Sequence, residues 1–329
     1  MPSIAPLDSD ETDFGHIELA GFLGENAVFA SVSGAIHLLA DKQRTIEAHE
    51  GLLAAVLAHD GKNLLSAGED GKVCRVATHG KIETLAEHKG WWIDRLASGP
   101  NGHIAYGAGK KGVVLSGDGQ QKPFESERSI EGLAFAPKGS RLAVARYNGV
   151  DLNWINTSNP PQFLEWKGSH IGVTFSPDGK YVVSRMQENA LHGWRLGDGK
   201  HMRMTGYPAK VQSFSFSNKG KWLASSGAPA AIVWPFSGKD GPMGKAPKEL
   251  GAMGGGLMVT HVACHHEEDV VAIGYSDGMV MAVRIEDGKE ALLKRSGKGA
   301  ITTLGWDGSG TRLAYGSQAG EAGIIDLNG

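Results

Sequence analysis

The stretch FSPDGKYVVSRMQENALHGW, residues 175–194, decides the fold. It begins on an aromatic residue, passes through a Pro-Asp-Gly turn, continues as an apolar run and closes on Trp194. Two other stretches have the same plan, FAPKGSRLAVARYNGVDLNW at 135–154 and FSNKGKWLASSGAPAAIVW at 216–234. Their closing residues, Trp154, Trp194 and Trp234, are 40 residues apart in a chain with only 8 Trp. Agreement at the start, the turn and the end of all three stretches indicates an internal repeat.

Weaker copies extend the repeat in both directions, and they lie at 24–39, 57–76, 99–116, 264–283 and 306–326. The residues at the turn position are Gly61, Gly102, Gly139, Gly179, Gly220, Glu268 and Gly310. Successive turn positions are separated by 41, 37, 40, 41, 48 and 42 residues. A period of about 40–45 residues is typical of a four-stranded propeller blade.

Within each copy the pattern predicts strands rather than helices. An apolar run follows the turn position, as in LLSAG or RLAVA, and a tight hairpin comes next. Asp70-Gly71, Asn148-Gly149 and Asp277-Gly278 supply the dipeptides that two-residue hairpins favour. No helical period of comparable strength is present, so the sequence predicts an all-β protein.

These features resemble the WD-repeat family. The resemblance depends on the Phe-Ser-Pro-Asp-Gly-Lys turn at 175–180, the SAGEDGKV hairpin at 66–73 and the three closing tryptophans. It implies a single closed β-propeller of four-stranded antiparallel blades over residues 16–329. Eight copies favour eight blades, with seven as the alternative because seven is commoner in the family. Residues 1–15 form an N-terminal segment that we expect to pair with the last blade, since the final copy ends after its third strand.

Composition excludes several classes of function. The net charge is −3, so no strong basic field is present to neutralise the phosphates of a nucleic acid. The first residues, MPSIAPLDSDETDF, lack the basic start and apolar centre of a secretory signal, and no apolar run is long enough to span a membrane. Cys74 and Cys264 are the only cysteines, which fits a reducing compartment. We therefore expect a cytoplasmic protein that binds neither nucleic acid nor membrane.

No enzyme motif stands out. The chain contains no H-E-x-x-H pair, and its G-x-S-x-G match, GYSDG at 274–278, includes the predicted Asp277-Gly278 hairpin turn rather than a strand-to-helix elbow. The segment GKDGPMGKA at 238–246 departs from a P-loop, because its glycine spacing is one residue too long and Ala246 replaces the hydroxyl residue. We expect no catalytic residues and no cofactor, and an enzyme with a site in the propeller channel is the least favoured reading.

The leading hypothesis is a scaffold or adaptor that binds a protein or peptide on the channel face. In the family, the middle hairpins and the loops from outer to inner strands share that face. Arginine and tryptophan are enriched in interaction hot spots, and by this criterion and their position the candidate partner-binding residues are Arg146, Arg185, Trp91, Trp92 and His170. Reversing Arg146 and Arg185 to Glu is expected to abolish binding and to leave the melting temperature nearly unchanged.

The alternative is a metal-binding or metal-handling propeller. His261, Cys264, His265 and His266 form the densest set of nitrogen and sulfur ligand types in the chain. Against this reading, Cys264 stands at the core position that Phe135 and Phe175 occupy in other copies. No metal site is assigned, and His261, His265 and His266 remain the candidates for one.

Overall fold

The computed structural model describes residues 3–6, 14–40, 42–138 and 141–328, and for residues 3–6 it describes the backbone alone. Gly139 and most of the N-terminal segment, 1–2 and 7–13, lie outside the described residues. Apart from a short 3₁₀ turn at Pro100–Gly102, all regular structure in the described part is antiparallel β-strand. Within this part of the chain no helix has the length and apolarity needed to cross a membrane.

Each copy of the repeat contributes successive antiparallel strands to a sheet. The first three sheets consist of β2 (Ile17–Leu23), β3 (Asn26–Ser31), β4 (Ala35–Leu39) and β5 (Gln43–Glu47); β6 (Leu52–Leu57), β7 (Asn63–Gly68), β8 (Lys72–Ala77) and β9 (Ile82–Glu87); and β10 (Arg95–Ser98), β11 (Ile104–Ala108), β12 (Lys111–Leu115) and β13 (Gln121–Glu125).

The fourth sheet has six strands, namely β14 (Gly132–Phe135), β15 (Arg141–Trp154), β16 (Gln162–Phe175), β17 (Tyr181–Met186), β18 (Ala190–Arg195) and β19 (His201–Met204). The last three sheets consist of β20 (Phe214–Phe216), β21 (Trp222–Ser225), β22 (Ala231–Pro235) and β23 (Lys248–Leu250); β24 (Val259–Cys264), β25 (Val270–Tyr275), β26 (Val280–Arg284) and β27 (Glu290–Lys294); and β28 (Ile301–Trp306), β29 (Arg312–Ser317), β30 (Ala322–Asp326) and β1 (Ser3–Pro6).

These sheets are the blades of a β-propeller, which confirms the predicted fold class. In the described residues they number seven, the alternative, rather than the favoured eight. The physical reason is a backbone pairing of Tyr147 with Ser169, which joins two copies of the repeat into the six-stranded sheet. The predicted turn at Asn148-Gly149 lies inside β15, with φ of 70° and 151° at its two residues. Eight copies of the sequence repeat therefore give seven hydrogen-bonded sheets.

The N-terminal strand β1 belongs to the last sheet. It lies antiparallel to β30, with Ser3 opposite Asp326 and Pro6 opposite Gly323. The backbone groups along that side of β30 are thereby paired rather than exposed as a free sheet edge. The first and last described strands of the chain are consequently joined by hydrogen bonds.

The chain divides into two compact units. The first unit comprises residues 1–52, 77–81 and 212–329, and the second comprises 53–76 and 82–211. Within each unit the second strand of a sheet is the most deeply buried, as β7, β25 and β29 illustrate. Outer strands such as β5 and β13 are largely exposed. A strand that is buried on both faces requires neighbouring sheets on either side, which is how the apolar runs of the repeat form the core.

Hydroxyl groups fasten neighbouring sheets together in the first unit. Ser213 donates to the carbonyl of Val262 at 3.2 Å, and Thr260 donates to that of Ile301 at 2.7 Å. Thr302 donates to the carbonyl of Ile17 at 2.6 Å. Each bond joins the segment at the start of one sheet to the first strand of the next. These hydroxyl groups therefore stabilise the packing of neighbouring blades.

Candidate functional site

One edge of the sheets in the second unit carries Trp91 and Trp92, and the other three predicted partner-binding residues, Arg146, His170 and Arg185, lie one or two residues from it. In an antiparallel sheet, the hairpin between the second and third strands and the connection to the next sheet lie at the same edge. We call this edge of the second unit the hairpin edge, and it consists of residues 88–94, 109–110, 126–131, 147–149, 167–169 and 187–189.

Arg146, beside this edge, is a buried residue. Its side chain donates to both carboxylate oxygens of Asp151, with distances of 2.6 and 3.1 Å from Nε and Nη2. Nη2 also lies 3.2 Å from the carboxylate of Glu127, and the guanidinium stands 4.2 Å from the ring centroid of Phe163. Arg146 is only 6% exposed, so its positive charge interacts with acids of the protein itself. This burial contradicts the expectation that charge reversal at Arg146 leaves the melting temperature unchanged.

Arg185 is half-buried on β17 and lies against the backbone of β16. A Cβ atom at Gly172 would stand 2.7 Å from its Nε, so a larger residue there would require the Arg185 side chain to shift. Burial, followed by the positive charge of Arg95, lowers the pKa of the Arg185 guanidinium. Arg95 and Arg185 of the second unit therefore repel each other electrostatically. The role of Arg185 in partner binding stays a prediction.

The two adjacent tryptophans are placed differently. Trp91 stacks on His88, with ring centroids 4.4 Å apart, and packs against the apolar core of the second unit. Trp92 is 66% exposed, whereas the next residue, Ile93, is fully buried. Trp91 therefore anchors the connection between β9 and β10, and Trp92 is displayed on it.

His170 is fully buried and both of its ring nitrogens are engaged. Nε2 lies 2.8 Å from the carbonyl oxygen of Trp166, which can only accept, so this nitrogen carries the proton. Nδ1 accepts from the hydroxyl of Ser184 at 2.7 Å. Burial lowers the pKa of His170, which keeps the ring neutral. The residue joins β16 to β17 and is not presented to a partner.

A cavity of about 480 Å³ opens on the hairpin edge, and we call it the hairpin pocket. It is lined by Lys110, Arg128, Ser129, Glu131, Tyr147 and Ser169. The side chain of Tyr147 is 48% exposed. Glu131 accepts from Arg95 at 2.8 Å, and Arg95 also pairs with Asp94 at 3.0 Å. None of the six lining residues is among the candidate partner-binding residues of the sequence analysis, because residue type alone does not separate them from other surface residues. Their signal is positional, since Lys110 and Tyr147 occupy the hairpins of two successive copies.

A cluster of histidines and tryptophans lies behind this edge in the second unit. His192 stacks on Trp166 at 4.1 Å and meets the Trp194 ring edge-on at 4.6 Å. It is fully buried, and neither ring nitrogen has a hydrogen-bond partner in the part of the chain that the structure describes. Burial, followed by smaller electrostatic contributions from His201, His170 and Arg203, lowers the pKa of His192 to about 3. Protonation of this ring is therefore strongly unfavourable in the folded state.

This depressed pKa predicts acid destabilisation. Unfolding exposes His192 and returns its pKa to about 6.5, so the stability it contributes is complete above that pH and is lost as pH falls towards 3. We expect the His192→Phe variant to lose about 2–3 kcal/mol less of its unfolding free energy than wild type between pH 7 and about pH 4.5. Urea unfolding at both pH values measures this difference. His201→Phe, which changes an exposed neighbouring ring, is the control; an equal acid loss in wild type and His192→Phe would contradict the assignment.

The metal alternative finds no support in the first unit, where its candidates lie. Nδ1 of His265 accepts from the backbone amides of Glu267 and Glu268 at 3.1 and 2.9 Å, and Nε2 donates to the carbonyl of Gly310 at 3.1 Å. The Cys264 thiol donates to the carbonyl of Ser215 at 3.2 Å, and burial raises its pKa to about 12. His266 stacks on His265, and His261 is partly buried on β24. Among the described residues no three potential ligands converge on one point.

Comparison with known proteins agrees with this geometry. The WD domain, G-beta repeat family matches residues 40–74. The chain is a β-propeller with a WD40 repeat at residues 40–74. The propeller is similar to the computationally designed Ika8 protein, with 19% identity, a TM-score of 0.78 and coverage of 96% of this chain and 98% of that one. It is also similar to the WD40 repeats of RRP9, with 14% identity, a TM-score of 0.63 and coverage of 84% and 94%. No curated protein matches the sequence of the propeller. At these identities the structural similarities show the fold alone.

Proposed function

We propose that the propeller is a non-enzymatic, cytoplasmic scaffold that binds a protein or peptide partner on the hairpin edge, which the family resemblance makes the channel face. The observation that carries this proposal is Trp92. Trp92 is 66% exposed, so much of its apolar ring is in contact with water and would be buried by a partner. Large aromatic side chains are common anchors of protein interfaces. Tyr147, 48% exposed on the same edge, adds a second aromatic side chain with a polar tip.

The loops of this edge are held in place before any partner arrives. His88 joins Tyr106 through a hydrogen bond of 2.9 Å, and the amide of Ser169 donates to Glu188 at 3.0 Å. The amide of Ile130 donates to the carbonyl of Gly109 at 2.7 Å. Loops that are fixed in this way lose little conformational entropy on binding, which is the physical advantage of a rigid display surface.

The experiment is affinity purification of the tagged protein from its native cells, with mass spectrometry. Wild type is compared with the Trp92→Ala/Tyr147→Ala double variant. The control is Trp154→Ala/Ile82→Ala, which removes side chains that are 46% and 39% exposed away from the hairpin edge. We expect a partner that is recovered with wild type and control and is depleted about tenfold or more with the double variant. Equal recovery with all three would exclude the hairpin edge, and the absence of any specific partner would contradict the scaffold.

A further inference from the structure

We propose that the hairpin pocket binds the carboxylate side chains of an acidic peptide segment. This inference rests on the proposed function, since it gives the chemical class of the partner that docks on the hairpin edge. Its starting point is the charge that the pocket leaves unneutralised.

Two cations in the pocket are free. Neither Lys110 nor Arg128 makes an ion pair or a side-chain hydrogen bond among the described residues. Glu131, the one carboxylate among the described residues that line the pocket, is already paired with Arg95 at 2.8 Å. Glu127, on the same connection, is paired with Arg146 at 3.2 Å. The nearby acids are thus occupied by buried or half-buried arginines, and the pocket presents net positive charge to a ligand.

The remaining lining groups suit a polar, extended ligand. The hydroxyl groups of Ser129 and Ser169 have no hydrogen-bond partner among the described residues, so both can donate to carboxylate oxygens. Tyr147 offers an exposed ring and a phenolic hydroxyl beside them. A cavity of about 480 Å³ is within the size range of sites that hold ligands larger than a single ion. A short peptide segment with acidic side chains matches both the size and the chemistry.

The positions of the two cations are coupled by the backbone. The amide of Ser126 donates to the carbonyl of Lys110 at 2.8 Å, and the amide of Ile130 donates to that of Gly109 at 2.7 Å. These two bonds fasten the β11–β12 hairpin to the connection that carries Arg128. The backbone segments that carry Lys110 and Arg128 are therefore held together, which favours simultaneous contact of both cations with one ligand.

The pocket fits carboxylates better than phosphate. Recognition of phosphorylated peptides relies on clusters of arginines, because each guanidinium provides a fork of donors to the phosphate oxygens. Here Arg95 and Arg146 are engaged with acids of the protein itself, and only one guanidinium, that of Arg128, is free in the pocket. One guanidinium fork and one ammonium group match one or two carboxylates of an unmodified chain.

The test is selection of peptides from a random dodecapeptide phage library on the immobilised full-length protein. Three proteins are compared: wild type, Lys110→Glu/Arg128→Glu, and the control Lys138→Glu/Lys200→Glu. The control makes the same change in net charge at two exposed lysines in turns at the opposite edge of the sheets. Circular dichroism and melting curves establish that all three are folded. Synthetic versions of the selected peptides are then measured by fluorescence anisotropy, with Asp and Glu replaced by Asn and Gln, or by phosphoserine.

We expect peptides rich in Asp and Glu from wild type and from the control. Their affinity should fall about tenfold to a hundredfold with Lys110→Glu/Arg128→Glu, and with amide replacement of the acids, and it should weaken as salt is raised. Selection of neutral or basic peptides that bind both reversal variants equally would overturn this inference and leave the scaffold intact. Acidic peptides that bind only after conversion to phosphoserine would overturn the carboxylate assignment. Failure to select any peptide from wild type would contradict both this inference and peptide docking on the hairpin edge.

Discussion

Trp194→Ala is expected to lower the free energy of unfolding by about 3–5 kcal/mol, the usual cost of deleting a fully buried aromatic side chain. Trp194 is 3% exposed and belongs to an apolar cluster with Phe175, Val182 and Leu164. It also meets the rings of His170 and His192, at 5.6 and 4.6 Å. Alanine would leave a large cavity between these groups, and strands paired on both sides of β18 cannot collapse into it. Urea unfolding followed by circular dichroism measures the loss.

Trp154→Ala is the matched control, since the same residue type closes the preceding copy. Trp154 is 46% exposed and lies beyond Leu152, the last residue of β15 that pairs with β16. Its ring is covered on one side by Arg141, whose guanidinium stands 5.3 Å from the ring centroid. We expect Trp154→Ala to cost less than about 1–2 kcal/mol, because most of the lost area is already in water. Similar losses in the two variants would mean that burial does not distinguish them and would contradict the assigned strand register.

The three closing tryptophans show what the repeat pattern predicts and where it fails. Periodicity placed Trp154, Trp194 and Trp234 at equivalent positions, and two of them, Trp194 and Trp234, are buried. The pattern predicts the order and spacing of the strands, because the second strand of every sheet has to be buried. It does not encode how far each closing side chain is covered. Trp154 is 46% exposed and Trp234 only 8%, although both lie beyond the last residue of their strand that pairs with the next one.

The number of sheets was not predictable from the repeat count for a related reason. Eight copies are visible in the sequence, but the backbone pairing of Tyr147 with Ser169 joins two of them. Backbone hydrogen bonds between the ends of adjacent copies leave no signature in residue type. A sequence repeat therefore predicts the unit of folding better than it predicts the boundaries of the sheets.

The sequence analysis placed its candidate residues in or next to the hairpin edge, because hairpins and connections alternate regularly along the repeat, and their role in partner binding stays a prediction. Residue type did not reveal the burial of two of them, since Arg146 and His170 are buried and hydrogen-bonded within the protein. Lys110 and Arg128 were overlooked, since what distinguishes them is the lack of a partner. Whether a charged side chain forms an ion pair within the protein depends on its neighbours from other strands, which a single sequence does not specify.

Arg146→Glu is expected to reduce the free energy of unfolding by about 3–5 kcal/mol, the cost of breaking a buried ion pair and leaving its partner uncompensated. Both Arg146 and Asp151 are buried, at 6% and 7% exposure. The introduced carboxylate would face Asp151 and lie near Glu127, with little water to screen the repulsion. Thermal and urea unfolding measure the loss. The apolar replacement Arg146→Met/Asp151→Leu should recover most of it, because it removes both buried charges together.

Arg284→Glu on the surface separates burial from charge. Arg284 pairs with Asp287 at 2.6 Å, the same distance that joins Arg146 to Asp151, but the side chains of Arg284 and Asp287 are each 50% exposed. A solvated pair contributes about 0–1 kcal/mol, so Arg284→Glu should change the unfolding free energy little. If the two reversals cost the same, water reaches Arg146 freely and its charge is available to a partner after all. If only Arg146→Glu unfolds the protein, a loss of partner binding in that variant reflects the fold, and the binding surface has to be mapped with exposed residues such as Trp92, Lys110 and Arg128.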